Sequence, residues 1–382
     1  MELYIHIPYC RQKCRYCDFA SYAGQEGTMP AYVDALLREA DAMAPLAKDT
    51  PIRTVFIGGG TPSTLPAALL QKLLSGLRER FDIPAGIEFT SEANPGTLTE
   101  AWLEAALAGG VNRLSMGMQA YQPELHRMLG RIHTHEDVVD SVTLARRMGI
   151  RNLSVDLMFG LPGQTPAMWR ETLDAALALN VEHMSCYGLI PEEGTPLTHD
   201  LDTGRLTLPD EDDERVMYDD TLSILARHGF AQYEISNFAK PGYECQHNIG
   251  YWTRIPYIGL GASAASFLRT GGGGLRLTNP ASIRDYIAMA EAQAWRRRDR
   301  TTLMAEDARF ESLMLGLRMT KGVSEADFQT MHAMSLDAYC GPILRDQMAR
   351  GLLTHQDEHW ALTRHGMDVQ NAILVEIMEA VE

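Results

Sequence analysis

From residue 3 to about 235, short β-rich runs alternate with stretches of helical periodicity, and this alternation leaves few folds open. The runs Leu3 to Ile7, Arg53 to Ile57 and Ile87 to Ser91 are each followed by a helix-like stretch, at 30–44, 66–80 and 99–108. The rhythm continues through Arg113 to Met116, Leu153 to Met158 and His183 to Leu189. Strand-helix-strand units joined by right-handed crossovers build a parallel sheet. Six of them suit an open barrel whose working residues sit at the C-terminal ends of the strands. The expected fold class is therefore α/β, with a partial (βα)6 barrel over residues 1–235.

The rhythm breaks beyond that point. Pro241, Gly242, Pro256 and the run Gly271 to Gly274 read as irregular chain, so residues 236–295 are expected to form an extension covering the barrel. Residues 296–382 become mainly helical. They end in two short apolar runs, Leu352 to Thr354 and Trp360 to Leu362, which flank Asp357 and Glu358 and precede a helix from Thr363. That order predicts a smaller, winged-helix-like domain. A winged helix is able to bind DNA, but outside Arg296 to Arg300 there is little basic clustering, and support or interaction is the expected role.

A chain of 382 residues exceeds one ordinary domain. Its net charge of -16 repels phosphate backbones and anionic lipid surfaces, so general nucleic-acid or membrane binding is not expected, and an anionic ligand must meet a local basic patch. No stretch approaches the roughly 20 apolar residues of a membrane span, and no secretory leader is evident, so the expectation is a cytoplasmic protein. Three of the six cysteines fall within residues 10–17, whereas Cys186, Cys245 and Cys340 are scattered, which is not a disulfide framework.

Cys10, Cys14 and Cys17 follow the first strand directly. A short loop there brings three thiolates to one metal centre, and a cubane iron-sulfur cluster held by three thiolates keeps one iron open for a small-molecule ligand. The alternative is a structural zinc site completed by His6 or another residue. The second strand ends in Gly58-Gly59-Gly60-Thr61-Pro62, where glycines let backbone amides approach a ligand closely. Glu92, Gln119, Arg131 and Asp156 also stand near strand ends or in the following loops. Each of these taken alone is equally a structural polar residue.

The C-x3-C-x2-C arrangement, preceded by His6-Ile7-Pro8 and followed by Asp18-Phe19, resembles the cluster motif of the radical-SAM superfamily. That resemblance implies a 4Fe-4S cluster on Cys10, Cys14 and Cys17, with S-adenosylmethionine chelating the fourth iron and an electron from the cluster able to cleave its sulfonium. It places Tyr16 against adenine, unless Tyr16 only shields the cluster, and Gly59, Gly60 and Thr61 at the methionine amino group. The ordered set resembles the oxygen-independent coproporphyrinogen oxidase family over essentially the whole chain. By that likeness Tyr4, Glu92, Gln119, Arg131 and Asp156 are also contacts of S-adenosylmethionine or of a second ligand.

The oxidases, however, carry a fourth cysteine where this sequence has Phe19, and a longer N-terminal segment than the one preceding Tyr4 here. Phe19 and the run His247-Asn248-Ile249-Gly250-Tyr251-Trp252 instead resemble the HNxxYW-bearing HemW-type heme chaperones. That likeness implies a protein that binds heme and passes it to heme-requiring apoproteins such as respiratory enzymes. It also implies monomer-dimer exchange, so a homodimer is expected. His247 is then the first candidate heme ligand, with Cys245 nearby. The alternatives are a hydrogen-bonded histidine that anchors the extension and an inert buried thiol. The competing function is a radical enzyme acting on a porphyrin.

Overall fold

The six β-rich runs all become strands of one sheet. A computed structural model describes residues 1–381. Its strands are β1 (Glu2–Ile7), β2 (Thr54–Gly59), β3 (Glu88–Ala93), β4 (Arg113–Gln119), β5 (Asn152–Phe159) and β6 (His183–Gly188). These six lie side by side in sequence order and every neighbouring pair is parallel. The α/β partial-barrel expectation is met. Burial is near-continuous along β1 and β5, as covering both faces requires, although polar residues such as Glu2, His6, Ser154 and Asp156 alternate with their apolar ones.

The crossover helices are set by local signals. Met29, Tyr32, Val33, Leu36, Ala40 and Met43 recur at helical spacing and form the buried stripe of the helix Met29–Met43. Thr99 caps the helix Glu100–Ala108 by accepting from the Trp102 amide. The helix His135–Met148 opens on a Thr134/Asp137 capping box and stops at Gly149, whose φ of 111° suits a residue without Cβ.

The 236–295 stretch is more regular than the sequence implied. After β7 (Ala231–Glu234) and β8 (Asn237–Ala239), it supplies a helix at Gln246–Trp252 and the strands β9 (Tyr257–Leu260), β10 (Ala265–Thr270) and β11 (Gly273–Thr278). β9 pairs in parallel with β1, and β10, β11 and β12 (Asp299–Leu303) continue the sheet as antiparallel neighbours. Gly271 and Gly272, expected as breakers, take positive φ in the tight turn joining β10 to β11. The glycine run closes a hairpin rather than opening a loop.

The extension is locked onto the barrel by Glu39, whose side chain is fully buried in the helix Met29–Met43. Its oxygens accept from Arg298 Nη2 (2.5 Å), Asn279 Nδ2 (2.7 Å), the Gly261 amide (2.8 Å) and the Tyr286 hydroxyl (2.5 Å). A buried carboxylate is tolerable only when surrounded in this way.

The C-terminal part has its own core, including Leu317, Phe328, Leu344, Trp360 and Ile377. The strands β13 (Val323–Ser324), β14 (Leu353–Gln356) and β15 (His359–Leu362) form a separate sheet in the order β13-β15-β14. Asp357 and Glu358, at φ 48° and 59°, make the two-residue turn between β14 and β15. No helix among the described residues is long and apolar enough to cross a membrane.

Candidate functional site

The loop after β1 is pinned before any cofactor is considered. The Cys10 amide donates to Tyr22 O at 3.0 Å, and the Tyr22 amide returns to Pro8 O at 2.8 Å. The Arg15 amide reaches Leu129 O, and Arg15 O receives the Leu197 amide, both at 3.0 Å. The three cysteines sit between these clips as free, half-buried thiols.

Each sulfur has a polar neighbour. Thr61 Oγ1 donates to Cys10 Sγ at 3.5 Å, Arg131 Nη1 donates to Cys14 Sγ at 3.5 Å, and Ser21 Oγ lies 3.9 Å from Cys17 Sγ. Burial pushes the Cys10 and Cys17 thiols above their ordinary range, so a metal is what would hold them as thiolates. Among the described residues no three His, Cys, Asp or Glu side chains converge as they must around a single ion. A cubane takes one thiolate on each of three different irons, and a set of thiols spread along one loop fits that requirement.

His6 does not join them. Its Nε2-H donates to Ala20 O at 2.9 Å, and its Nδ1 accepts from the Tyr4 hydroxyl at 2.9 Å. Burial holds the ring below its usual pKa, hence neutral. The imidazole lies against Gly59, where an added Cβ would come within 2.4 Å of it.

The end of β2 is joined to the cysteine loop by main-chain bonds, from the Gly60 amide to Ile7 O (2.9 Å) and from the Thr61 amide to Tyr9 O (2.7 Å). Asn94, just past β3, completes a ring of polar contacts. Its Nδ2 donates to Thr61 Oγ1 at 2.8 Å and its Oδ1 accepts from Arg131 Nη2 at 3.0 Å. The circuit thus runs Cys10, Thr61, Asn94, Arg131, Cys14. Sequence reasoning misses Asn94 and Ser21 as site residues. The signal available for Asn94 is its place two residues beyond Glu92 at a strand end.

Gln119 follows an irregularity in the pairing of β4 with β5 and takes φ 65°, a strained conformation for a residue with a side chain. That twist brings its amide next to Gly117 and Arg131, where a Cβ on Gly117 would meet both. Tyr16 also lies beside Arg131, and burial raises its pKa.

Glu92 and Asp156 point into the barrel. Glu92 Oε2 accepts from the Gly59 amide at 3.0 Å, and burial, reinforced by Asp156, pushes its carboxyl up to about 8. Asp156 accepts from Ser115 Oγ at 3.2 Å and is also raised by burial. Together with Tyr4, Tyr187 and His247 they line an internal cavity of about 200 Å³.

The sequence presents His247 as a candidate axial ligand in a segment covering the barrel, and its helix docks at the opposite end from the cysteines. The Gln246 and His247 amides donate to Glu88, and the ring meets Thr54, which are the first residues of β3 and β2. The ring is 1% exposed, with Nδ1 2.8 Å from Thr54 Oγ1 and Nε2 3.0 Å from the Tyr251 hydroxyl. Burial lowers its pKa to about 3. Both nitrogens are engaged, so neither is free for iron in this arrangement. Cys245 is fully buried against Glu88, and burial pushes its thiol up to about 12.

A parallel β/α sheet with three thiols on the loop after its first strand and a glycine turn at the end of its second defines a radical SAM protein. The Radical SAM superfamily model matches residues 4–176, and the HemN C-terminal domain model matches residues 303–369. The chain belongs to the heme chaperone HemW family. It is 38% identical to heme chaperone HemW of Bacillus subtilis (strain 168) over 97% of each chain. It is 36% identical to heme chaperone HemW of Escherichia coli (strain K12), over 98% of this chain and 97% of that one. Coproporphyrinogen III oxidase (HemN) from Escherichia coli shares the fold, with a TM-score of 0.83 and 24% identity across 98% of this chain and 89% of its own.

Proposed function

We propose that this protein binds heme and hands it to heme-requiring apoproteins, respiratory enzymes among them, in the cytoplasm. In this reading residues 1–235 hold a 4Fe-4S cluster and S-adenosylmethionine, residues 236–295 carry the HNxxYW element, and residues 296–382 form the appended domain. The observation that carries the reading is end-to-end similarity to heme chaperones. Supporting it, the position where the resembling oxidases have a fourth cysteine is Phe19, with 61% of its surface exposed.

Cys10, Cys14 and Cys17 would hold the cluster, which when bound supplies an open iron and a transferable electron. The chain's own residues set its surroundings. Arg131 places a positive charge and a donor at Cys14 and fixes Asn94. Gly59, Gly60 and Thr61 keep the backbone low enough for S-adenosylmethionine to approach. Glu92 and Asp156 offer acceptors to its amine and ribose, while Tyr4, Tyr16 and Gln119 enclose it. His247 serves as an anchor for the extension.

A radical enzyme acting on a porphyrin is the second reading, favoured by the chain of polar contacts that links Cys10 to Cys14. Anaerobic reconstitution with iron and sulfide, followed by heme titration and a SAM-dependent coproporphyrinogen assay on the same sample, separates the two. Saturable heme binding and transfer without porphyrinogen conversion supports the chaperone. Decarboxylation of the porphyrinogen overturns it.

A further inference from the structure

A cavity of about 450 Å³ lies between the helix Gln246–Trp252 and the C-terminal domain, away from the cysteine loop. That volume falls within the range of small-molecule sites. Its walls are apolar at Trp252, Met319, Phe328 and Met331 and basic at Arg53, Arg254, Arg269 and Lys321, against the single carboxylate of Asp327. In a chain with net charge -16, this is the local basic patch that an anionic ligand requires.

Two of the lining side chains carry donors without partners among the described residues. Arg254 is 4% exposed. Its Nε donates to Glu311 Oε2 at 2.8 Å and its Nη1 to Ala308 O at 3.0 Å, but Nη2 is buried and unpaired, as is Trp252 Nε1. Such orphans are costly unless a ligand meets them. Arg269 donates to the Arg254 carbonyl at 2.9 Å, and burial together with the Arg254 charge depresses its pKa. The two cations are therefore held together at the cleft.

His359 also lines the cleft. Its Nδ1-H donates to Asp357 O at 2.8 Å, and its Nε2 has no partner among the described residues. A backbone carbonyl on one nitrogen fixes the tautomer that presents a lone pair on the other, which is how proteins commonly orient a metal-binding imidazole.

Resting on the heme reading above, we propose that this cleft is the cargo site: a flat apolar macrocycle lies on Trp252 and Met331, its carboxylates meet Arg254, Arg269 and Lys321, and His359 Nε2 ligates its iron. The site is separate from the barrel interior and from His247.

The test titrates the full-length reconstituted protein with ferric heme and with heme dimethyl ester, whose carboxylates are blocked. Arg269 and Lys321 stand at the solvent-exposed rim of the cleft, and a parent-like denaturant melt of Arg269→Glu/Lys321→Glu checks that the double variant folds. Removing a charge-assisted hydrogen bond at each of the two positions should weaken heme binding roughly tenfold or more, with little change for the ester. His359→Ala should shift the Soret band. Weakened binding by the double variant with an unshifted His359→Ala spectrum keeps the cleft and overturns the ligand. Parent-like affinity and spectrum in both variants overturns the cleft while the heme reading stands. A parent that does not bind heme saturably overturns both.

Discussion

His247 Nδ1 lies 2.8 Å from the hydroxyl of Thr54, the first residue of β2, and its ring stacks on Phe56 with centroids 5.2 Å apart. These contacts tie the Gln246–Trp252 helix to the N-terminal end of the barrel. His247→Ala would leave Thr54 and the Tyr251 hydroxyl without this partner in a buried setting and open a void, at a cost of about 3 kcal/mol. Denaturant unfolding would measure that loss. His247→Gln, which keeps hydrogen-bonding capacity, is expected to retain the parent heme spectrum. A displaced Soret band in the glutamine variant would restore His247 as the iron ligand.

Glu92 gives a pH signature. Its folded pKa of about 8 lies above the ordinary 4.5, so the folded chain binds its proton more tightly than the unfolded chain does. The resulting contribution to stability is fully present below pH 4.5 and is lost as pH rises through about 8. Glu2 is also raised to about 8 by burial, and Asp156 is raised too, so only the parent-variant difference isolates Glu92. Glu92→Gln cannot ionise, and its stability relative to the parent should climb between roughly pH 4.5 and 8. Parallel profiles in denaturant melts across that window would refute the assignment.

The alternation of strands and helices made β1 to β6 legible to within a residue or two at most ends, because every one of those strands is buried and bounded by turn residues. The 236–295 stretch resisted for a physical reason. β9 is placed by pairing with β1, a partner some 250 residues earlier, and no local pattern encodes that choice. Likewise the cysteines and the glycine turn were visible as motifs, whereas the Thr61-Asn94-Arg131 circuit needs side chains from three separate loops. The sequence also could not reveal which end of the barrel receives His247, since that depends on Glu88 and Thr54 capturing its helix.

Arg131 should tune the cluster more than it supports the fold. Its guanidinium reaches Cys14 Sγ, Asn94 Oδ1 and, at 2.6 Å, Gly117 O. Arg131→Met removes a cation and a sulfur hydrogen bond, both of which favour the more negative, reduced state, so the midpoint potential should fall. Removal of such an outer partner also typically weakens metal retention on the order of 10-fold. Potentiometric titration followed by electron paramagnetic resonance, with iron and sulfide content measured in parallel, reads both effects. Arg131→Lys should recover part of the potential but not the Asn94 hydrogen bond. An unchanged potential in the methionine variant would reduce Arg131 to a packing residue.

Gly60 tests whether the main-chain joint between β2 and the cysteine loop is what shapes the site. A Cβ there would stand 2.8 Å from Tyr9 O and 2.9 Å from Ile7 O, both backbone atoms that cannot swing aside. Those are the acceptors of the Thr61 and Gly60 amides, so relieving the clash means separating the two segments and moving Thr61 off Cys10. Gly60→Ala should therefore lower cluster content after anaerobic reconstitution and cost about 2 kcal/mol of stability. Gly163→Ala is the matched control. It has positive φ and nothing within 4 Å of the added methyl, so it should lose only about 1 kcal/mol to backbone strain and keep its iron. Equal iron content in the two variants would show that the cysteine loop assembles without the β2 joint.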